Sequence, residues 1–196
     1  LGVMLRIGIT GGIGSGKSVV SKIFESLGFT VFNSDLEAQR IINNDAEVRR
    51  ELIIVFGTEI YAEKGLNREL LAQQIFSDNS LREAVNKIVH PRVREAFDLL
   101  CLSDSNSLIF NEAAILIETG AYKEFDKILL ITANLECRIQ RVMNRDLISR
   151  EQVESRIDNQ WSDDKKRDFS DSEIKNDDSQ SLLIQVENFI DQFISV

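Results

Sequence analysis

The sequence is short of several things, and each shortage closes off a class of function. No apolar run comes near the 18 or more residues that a membrane span needs, so no transmembrane helix is expected. Positive charge is scarce: 23 lysines and arginines stand against 32 aspartates and glutamates, a net −9, which leaves no basic face for general nucleic-acid binding. The two cysteines, Cys101 and Cys137, lack metal-ligand spacing and sit in apolar helical contexts, where reduced, buried thiols of a cytoplasmic protein are expected. There is one proline, Pro91, and one histidine, His90, directly before it. No signal peptide is visible, because the apolar run at Ile7 leads straight into glycines; Met4 is the expected natural start and Leu1–Val3 a leftover ahead of it.

What is present is an ordinary globular composition, 43% hydrophobic and 28% charged, over 196 residues, enough for one core with insertions. Glycine is concentrated: four of ten lie within six residues, Gly11, Gly12, Gly14 and Gly16. "LRIGIT" (5–10) reads as a strand, "KSVVSKIFESLG" (17–28) as a helix stopped by Gly28, and "FTVFNSD" (29–35) as a second strand, the βαβ order of a parallel sheet. Residues 36 to about 105 read as helical, with a break at Asn43-Asn44-Asp45, a capping box opening at Ser80 with Glu83, and Pro91 in the first turn of a further helix. Strand character returns at "SLIFNEA" (107–113) and "KILLIT" (127–132), each followed by a helical pattern, the longer being 134–145. Ser149 and Gln152 form another capping box, and 138–175 is a polar excursion. In the tail, Leu182, Leu183, Val186, Phe189, Ile190, Phe193 and Ile194 share one face, predicting a helix closed onto the sheet. The expected organisation is one α/β core with a helical insertion.

Gly11 to Ser18 satisfies G-x-x-x-x-G-K-[ST] in full, between a strand and a helix. Glycines let successive amides curl around an anion, and the following helix adds its N–H groups and positive end. The backbone of Gly12, Ile13, Gly14, Ser15, Gly16, Lys17 and Ser18 is expected to hold nucleotide phosphates, with Lys17 reaching the β- and γ-phosphates and the Ser18 hydroxyl completing a Mg²⁺ shell. The motif does not say which reaction follows. A GTPase switch is excluded: no aspartate is followed three residues later by glycine, and Asn86-Lys87 continues without the guanine-reading aspartate. A motor or transport ATPase would use an acid closing an apolar strand, for which Glu112, Glu118 and Asp126 are equally available, in a chain short for that class.

A small-molecule kinase needs an acid near the end of the second strand, an arginine-bearing lid and a helical acceptor subdomain. Asp35 closes that strand, 18 residues after Lys17, and Arg138, Arg141, Arg145 and Arg150 cluster in an otherwise acidic chain. Each has a plainer reading: Asp35 as a helix N-cap, the arginines as a solvated face on which Arg141 and Arg145 lie four apart. His90 reads first as a structural hydrogen-bonding residue.

Taken together, "ITGGIGSGKS", "VFNSDLEAQRI", "LNREL" followed by "IF", "IVHPRV", "EAAILIETGAY", "RVMNRD" and "RIDNQ" resemble, in order and spacing, the dephospho-coenzyme A kinase family over essentially the whole chain from Met4. The chain departs from the family pattern at Asn33, where the first acid of D-A-D would stand, at Ala114 in place of a proline, at Val19, and after Asn176, where a glycine is lacking. The resemblance implies an α/β P-loop NTPase fold, three α/β/α layers on a parallel sheet, forming a single domain over 4–196. Its core would span about 4–35 and 106–196, its acceptor-binding insertion about 36–105, and its lid about 138–160. It implies transfer of the ATP γ-phosphate to the ribose 3′-hydroxyl of dephospho-CoA, the last step of coenzyme A biosynthesis, with Mg²⁺, in a cytoplasmic monomer. Asp35, Lys17 and Arg145 would be catalytic, Arg141 and Asn176 would join the loop in binding nucleotide, and Asp35, Arg68, His90 and Glu118 would meet the acceptor. A kinase for another nucleotide and an ATP-binding regulator that transfers nothing are the alternatives.

Overall fold

The computed structural model describes residues 4–62, 65–177 and 179–194. Leu1–Val3 and Asp178 of the "KNDD" stretch lie outside the described residues. The chain runs β1 (Leu5–Thr10), α1 (Lys17–Ser26), β2 (Thr30–Asn33), α2 (Ser34–Asn44), α3 (Ala46–Phe56), β3 (Tyr61–Ala62), β4 (Gly65–Leu66), α4 (Arg68–Ser77) and α5 (Asn79–Ser103). It continues with β5 (Leu108–Glu112), β6 (Lys127–Thr132), α6 (Leu135–Asp146), α7 (Arg150–Asp158), α8 (Asp163–Arg167), β7 (Ser172–Lys175) and α9 (Leu182–Ile190). Two compact units result, one of Leu1–Asn33 with Asp104–Val196, the other of Ser34–Ser103.

The first unit is built on a five-stranded parallel sheet in the order β2-β5-β1-β6-β7. All five residues of β5 are buried, as are the last four of β1 and the last five of β6. Parallel strands covered on both faces need such near-continuous apolar runs, which is why these three were legible as strands. Ile7, Ile9, Val20, Phe24, Phe110, Leu129, Ile131, Val186 and Phe189 form the main core, with the Phe24 and Phe110 rings stacked 3.9 Å apart between centroids. Each such buried side chain contributes about 1.5–3 kcal/mol. Gly28 ends α1 as predicted, in a left-handed conformation (φ 92°): its N–H donates to the Glu25 carbonyl and that of Phe29 to the Phe24 carbonyl. Phe29 then packs edge-on against Phe24, closing the motif with an apolar contact.

Four expectations in this unit are corrected. No α-helix follows β5, only turns and a 3-10 turn at Ala121–Glu124. β7 is a strand that "SEIK" did not announce. In α9, Val186 and Phe189 are buried, but Leu183 is 46% exposed, because it lies round the helix from Leu182, off the stripe that Val186 and Phe189 turn to the core. Cys137 is half-exposed rather than buried; Cys101, in the other unit, is buried, and both are free thiols.

In the second unit, α5 packs along α2, α3 and α4, and β3 and β4 pair as a short antiparallel ribbon. The break at residues 43–45 is present, with the Asp45 carboxylate capping α3 through Glu47 and Val48 N–H. Pro91 does not open a helix: it lies inside the 25-residue α5. A proline there costs about 3 kcal/mol, yet Val89, Val93, Phe97 and Cys101, each four residues on from the last, are all buried and carry the helix across it. Nor does Ser80 cap this helix. The Asp78 carboxylate, two residues earlier, accepts from the Ser80 N–H and hydroxyl, and those bonds hold it below the usual carboxylate range.

Candidate active site

The glycine loop joins β1 to α1, whose N-cap is Gly16 in the left-handed conformation (φ 91°, ψ 29°). Neither a capping side chain nor a first-turn acid covers the start of α1, so its N–H groups and positive end stay available to an anion. Among the described residues the N–H groups of Gly14, Gly16 and Ser18 have no partner. The Lys17 ammonium donates to the Gly11 carbonyl at 2.9 Å, and Ser18 is exposed at the helix start. The cradle is narrower than residues 12–18, because two of its amides are used within the protein. Ile13 N–H donates to Gln160 Oε1 at 2.8 Å, and Ser15 N–H closes a turn on the Gly12 carbonyl at 3.1 Å.

Three side chains from downstream elements complete the loop's surroundings. Arg138, on α6 and only 8% exposed, donates from Nε to the Ile13 carbonyl at 3.0 Å and pairs through Nη1 with Asp163 at 3.0 Å. Asn176, buried just after β7, donates from Nδ2 to the Ser15 carbonyl at 2.9 Å and from its backbone to Thr132. Arg141, one turn beyond Arg138, has a buried Nη1 with no hydrogen-bond partner among the described residues, 3.9 Å from where a side chain on Gly16 would begin. A buried, unpartnered guanidinium nitrogen beside open loop amides is the arrangement an incoming phosphate would satisfy.

The other arginines stand apart. Arg145 is 62% exposed and bonds Asp146 at 2.7 Å; Arg156 bonds the same carboxylate. The Arg145 hydrogen bond, with Arg156 behind it, keeps Asp146 below the usual carboxylate range. Arg150 pairs with Glu136 and Glu154. Thus Arg141 and Arg138 meet the loop, while no described contact joins Arg145 to it.

Glu118 Oε1 accepts from Lys166 at 2.9 Å and from Trp161 N–H at 3.2 Å, while its buried Oε2 has no partner among the described residues. Lys166 is fully buried, which the run "DDKKR" gave no sign of. Glu112, one of the three ATPase candidates, accepts from the Ser21 hydroxyl at 2.8 Å and ties α1 to the end of β5. Gln160 and Asp163 were also absent from the sequence reading, although Gln160 closes the "RIDNQ" stretch.

The remaining candidates belong to the helical unit. Asp35 is exposed in the first turn of α2, two residues past the end of β2, and is inside the helix rather than its N-cap. His90 is half-buried on α5. Arg68 opens α4 and lines a cavity of about 220 Å³ with Ile42, Leu66, Leu71, Ala72 and Ile75. Gln39 and Asn43 line it as well, so the cavity combines apolar walls with two side-chain amides and one guanidinium.

The positive backbone angle at Gly16 leads to a paired prediction. A Cβ there would lie 1.9 Å from Asn176 Nδ2, whereas one on Gly28, at nearly the same φ, would meet nothing within 4 Å. Gly28→Ala is expected to cost only the backbone term of about 1–2 kcal/mol and to leave ADP affinity unchanged. Gly16→Ala should add roughly 1–3 kcal/mol for displacing a buried hydrogen-bonded amide and weaken ADP more than tenfold. Urea unfolding and ADP titration of the two variants check the contrast; equal ADP affinities would count against the loop geometry.

Residues 5–181 match the model of the dephospho-CoA kinase family. A dephospho-CoA kinase of Bacteroides fragilis is 41% identical over 183 residues, covering 93% of this chain and 89% of that protein. Among solved structures, TT1252 from Thermus thermophilus superposes with a TM-score of 0.88 at 32% identity, over 98% of this chain and 100% of the other. The dephospho-CoA kinase from Campylobacter jejuni gives 0.67 at 26% identity, with 95% of each chain covered.

Proposed function

This chain belongs to the dephospho-CoA kinase family, and from that premise we propose which residues carry its ATP-dependent phosphorylation of dephospho-CoA to coenzyme A. The reading rests above all on one observation: the loop has open amides at Gly14, Gly16 and Ser18, and next to Gly16 lies a buried Arg141 nitrogen that lacks a partner among the described residues. ATP phosphates would take these donors, with Lys17 moving from the Gly11 carbonyl to bridge the β- and γ-phosphates. The exposed Ser18 hydroxyl suits Mg²⁺, a hard cation that takes oxygen ligands and would neutralise charge on the phosphates. Asp35 would accept the proton of the ribose 3′-hydroxyl as general base. Arg145 would leave Asp146 to meet charge developing on the transferred group, and its exposure supports such movement.

The acceptor is assigned to the helical unit. Arg68 with apolar walls suits a ligand that joins a phosphate to a long, weakly polar arm. Glu118 enters through Oε2, its open acceptor, and His90 by its place beside Pro91. We place the protein in the cytoplasm; its free thiols support this, and among the described residues no helix is long and apolar enough to cross a membrane.

A coupled assay separates the readings. ADP should form only with dephospho-CoA present, with the new phosphate on the 3′-oxygen of the product, and chelation of Mg²⁺ should stop turnover. Comparable rates with other nucleosides would point to a different kinase. ATP binding without ADP formation would point to a regulator.

A further inference from the structure

Ile13 is held in three ways by one structural device. Its N–H donates to Gln160 Oε1 at 2.8 Å, its carbonyl accepts from Arg138 Nε at 3.0 Å, and its side chain packs on the Ile139, Val142 and Val153 cluster. All these residues belong to the α6–α7 hairpin or its immediate ends: Arg138 sits in the first turns of α6, and Gln160 lies two residues beyond the last residue of α7. Both ends of the hairpin are therefore fastened to the same loop residue. Gln160 is itself anchored, its N–H donating to the Ile157 carbonyl at 2.9 Å, and Arg138 is fixed by Asp163. The fit on either side of Ile13 is tight. A Cβ on Gly12 would lie 2.0 Å from Arg138 Nη2, and one on Gly14 would lie 2.5 Å from the Arg138 carbonyl.

These contacts leave Ile13 no free backbone N–H for a ligand and fix the plane from which the next amides project. An unrestrained glycine-rich loop samples many orientations, and ordering it on binding costs affinity. A neutral amide oxygen also fits this role: a carboxylate in its place would set a negative charge beside the bound phosphates.

We propose that Gln160 is a positioning residue for phosphoryl transfer: by holding Ile13 N–H, it presets the glycine loop so that the Gly14, Gly16 and Ser18 amides converge before ATP binds. The proposal rests on the nucleotide-binding reading of the loop. Gln160 touches no reacting atom; it acts through Ile13.

The test uses Gln160→Met in the intact chain, which keeps length and volume but removes the acceptor. ADP affinity by calorimetry and KM for ATP should each weaken about tenfold, while KM for dephospho-CoA stays within twofold. A purely structural glutamine would lower thermal stability and leave ADP affinity unmoved, so ADP binding within twofold of the wild-type value overturns the proposal. Should the variant not fold, hydrogen exchange on the wild-type protein decides: the Ile13 amide should exchange slowly without nucleotide, and exchange at the rate of an open loop overturns the proposal equally. Failure of the wild-type protein to bind ADP would instead refute the nucleotide-binding reading itself.

Discussion

Asp35→Asn is expected to lower kcat by about 10³-fold, within the range for loss of a general base, while ADP affinity stays within twofold of wild type. The two side chains have nearly the same shape, so the change removes the proton acceptor and the negative charge and little else. Asp35 is exposed in the first turn of α2, where an acid also favours the positive end of the helix. That contribution is about 0.3–1 kcal/mol, and its loss would appear as a small drop in thermal stability without a change in turnover. Steady-state kinetics beside a melting curve therefore separates catalyst from helix-end acid. Wild-type turnover with a slightly lowered Tm would assign Asp35 to the helix end alone.

Lys17→Ala is expected to lower kcat/KM by about 10²–10³-fold, the range seen when one preorganised donor to a developing charge is removed. The ammonium lies 2.9 Å from the Gly11 carbonyl, at the mouth of the loop and next to Gly16, so a short swing of a flexible side chain would bring it to a phosphate. Alanine forms α1 at least as well as lysine, so the helix should persist and the loss should fall on phosphate handling. Arginine should not restore activity, because its planar fork cannot replace a compact point charge. Near-normal activity in Lys17→Ala, measured as ADP release, would remove the phosphate-binding assignment of the loop.

Legibility in the sequence followed the kind of contact involved. β1 and β6 match "LRIGIT" and "KILLIT" residue for residue because burial on both faces demands unbroken apolar runs. β7 is four residues long, lies at the sheet edge and pairs with β6 alone, so "SEIK" carries no such demand. Pro91 misled because the local rule against mid-helix proline yields to a buried stripe visible only once the helix is packed. At the site, Lys17 and Ser18 follow from consecutive residues under one local geometry. Gln160 could not be found that way: it serves a backbone N–H 147 positions away, and a backbone group imposes no residue type that a sequence would display. Arg138 was visible as charge, but not as a brace, since its partners Ile13 and Asp163 are brought to it by the fold.

The order of the sheet also bears on what can be removed from the molecule. β2 and β5 are neighbours running in the same direction, with Thr30 opposite Ile109 and Asn33 opposite Glu112. A chain leaving the far end of one must travel back along the full strand before entering the other, which no tight hairpin can do. Residues 34–103 make that return journey. A truncated kinase in which Asn33 was spliced to Asp104 would lack a path between two adjacent strands of its own sheet, so a minimal nucleotide-binding core needs a substitute crossover as well as a new surface.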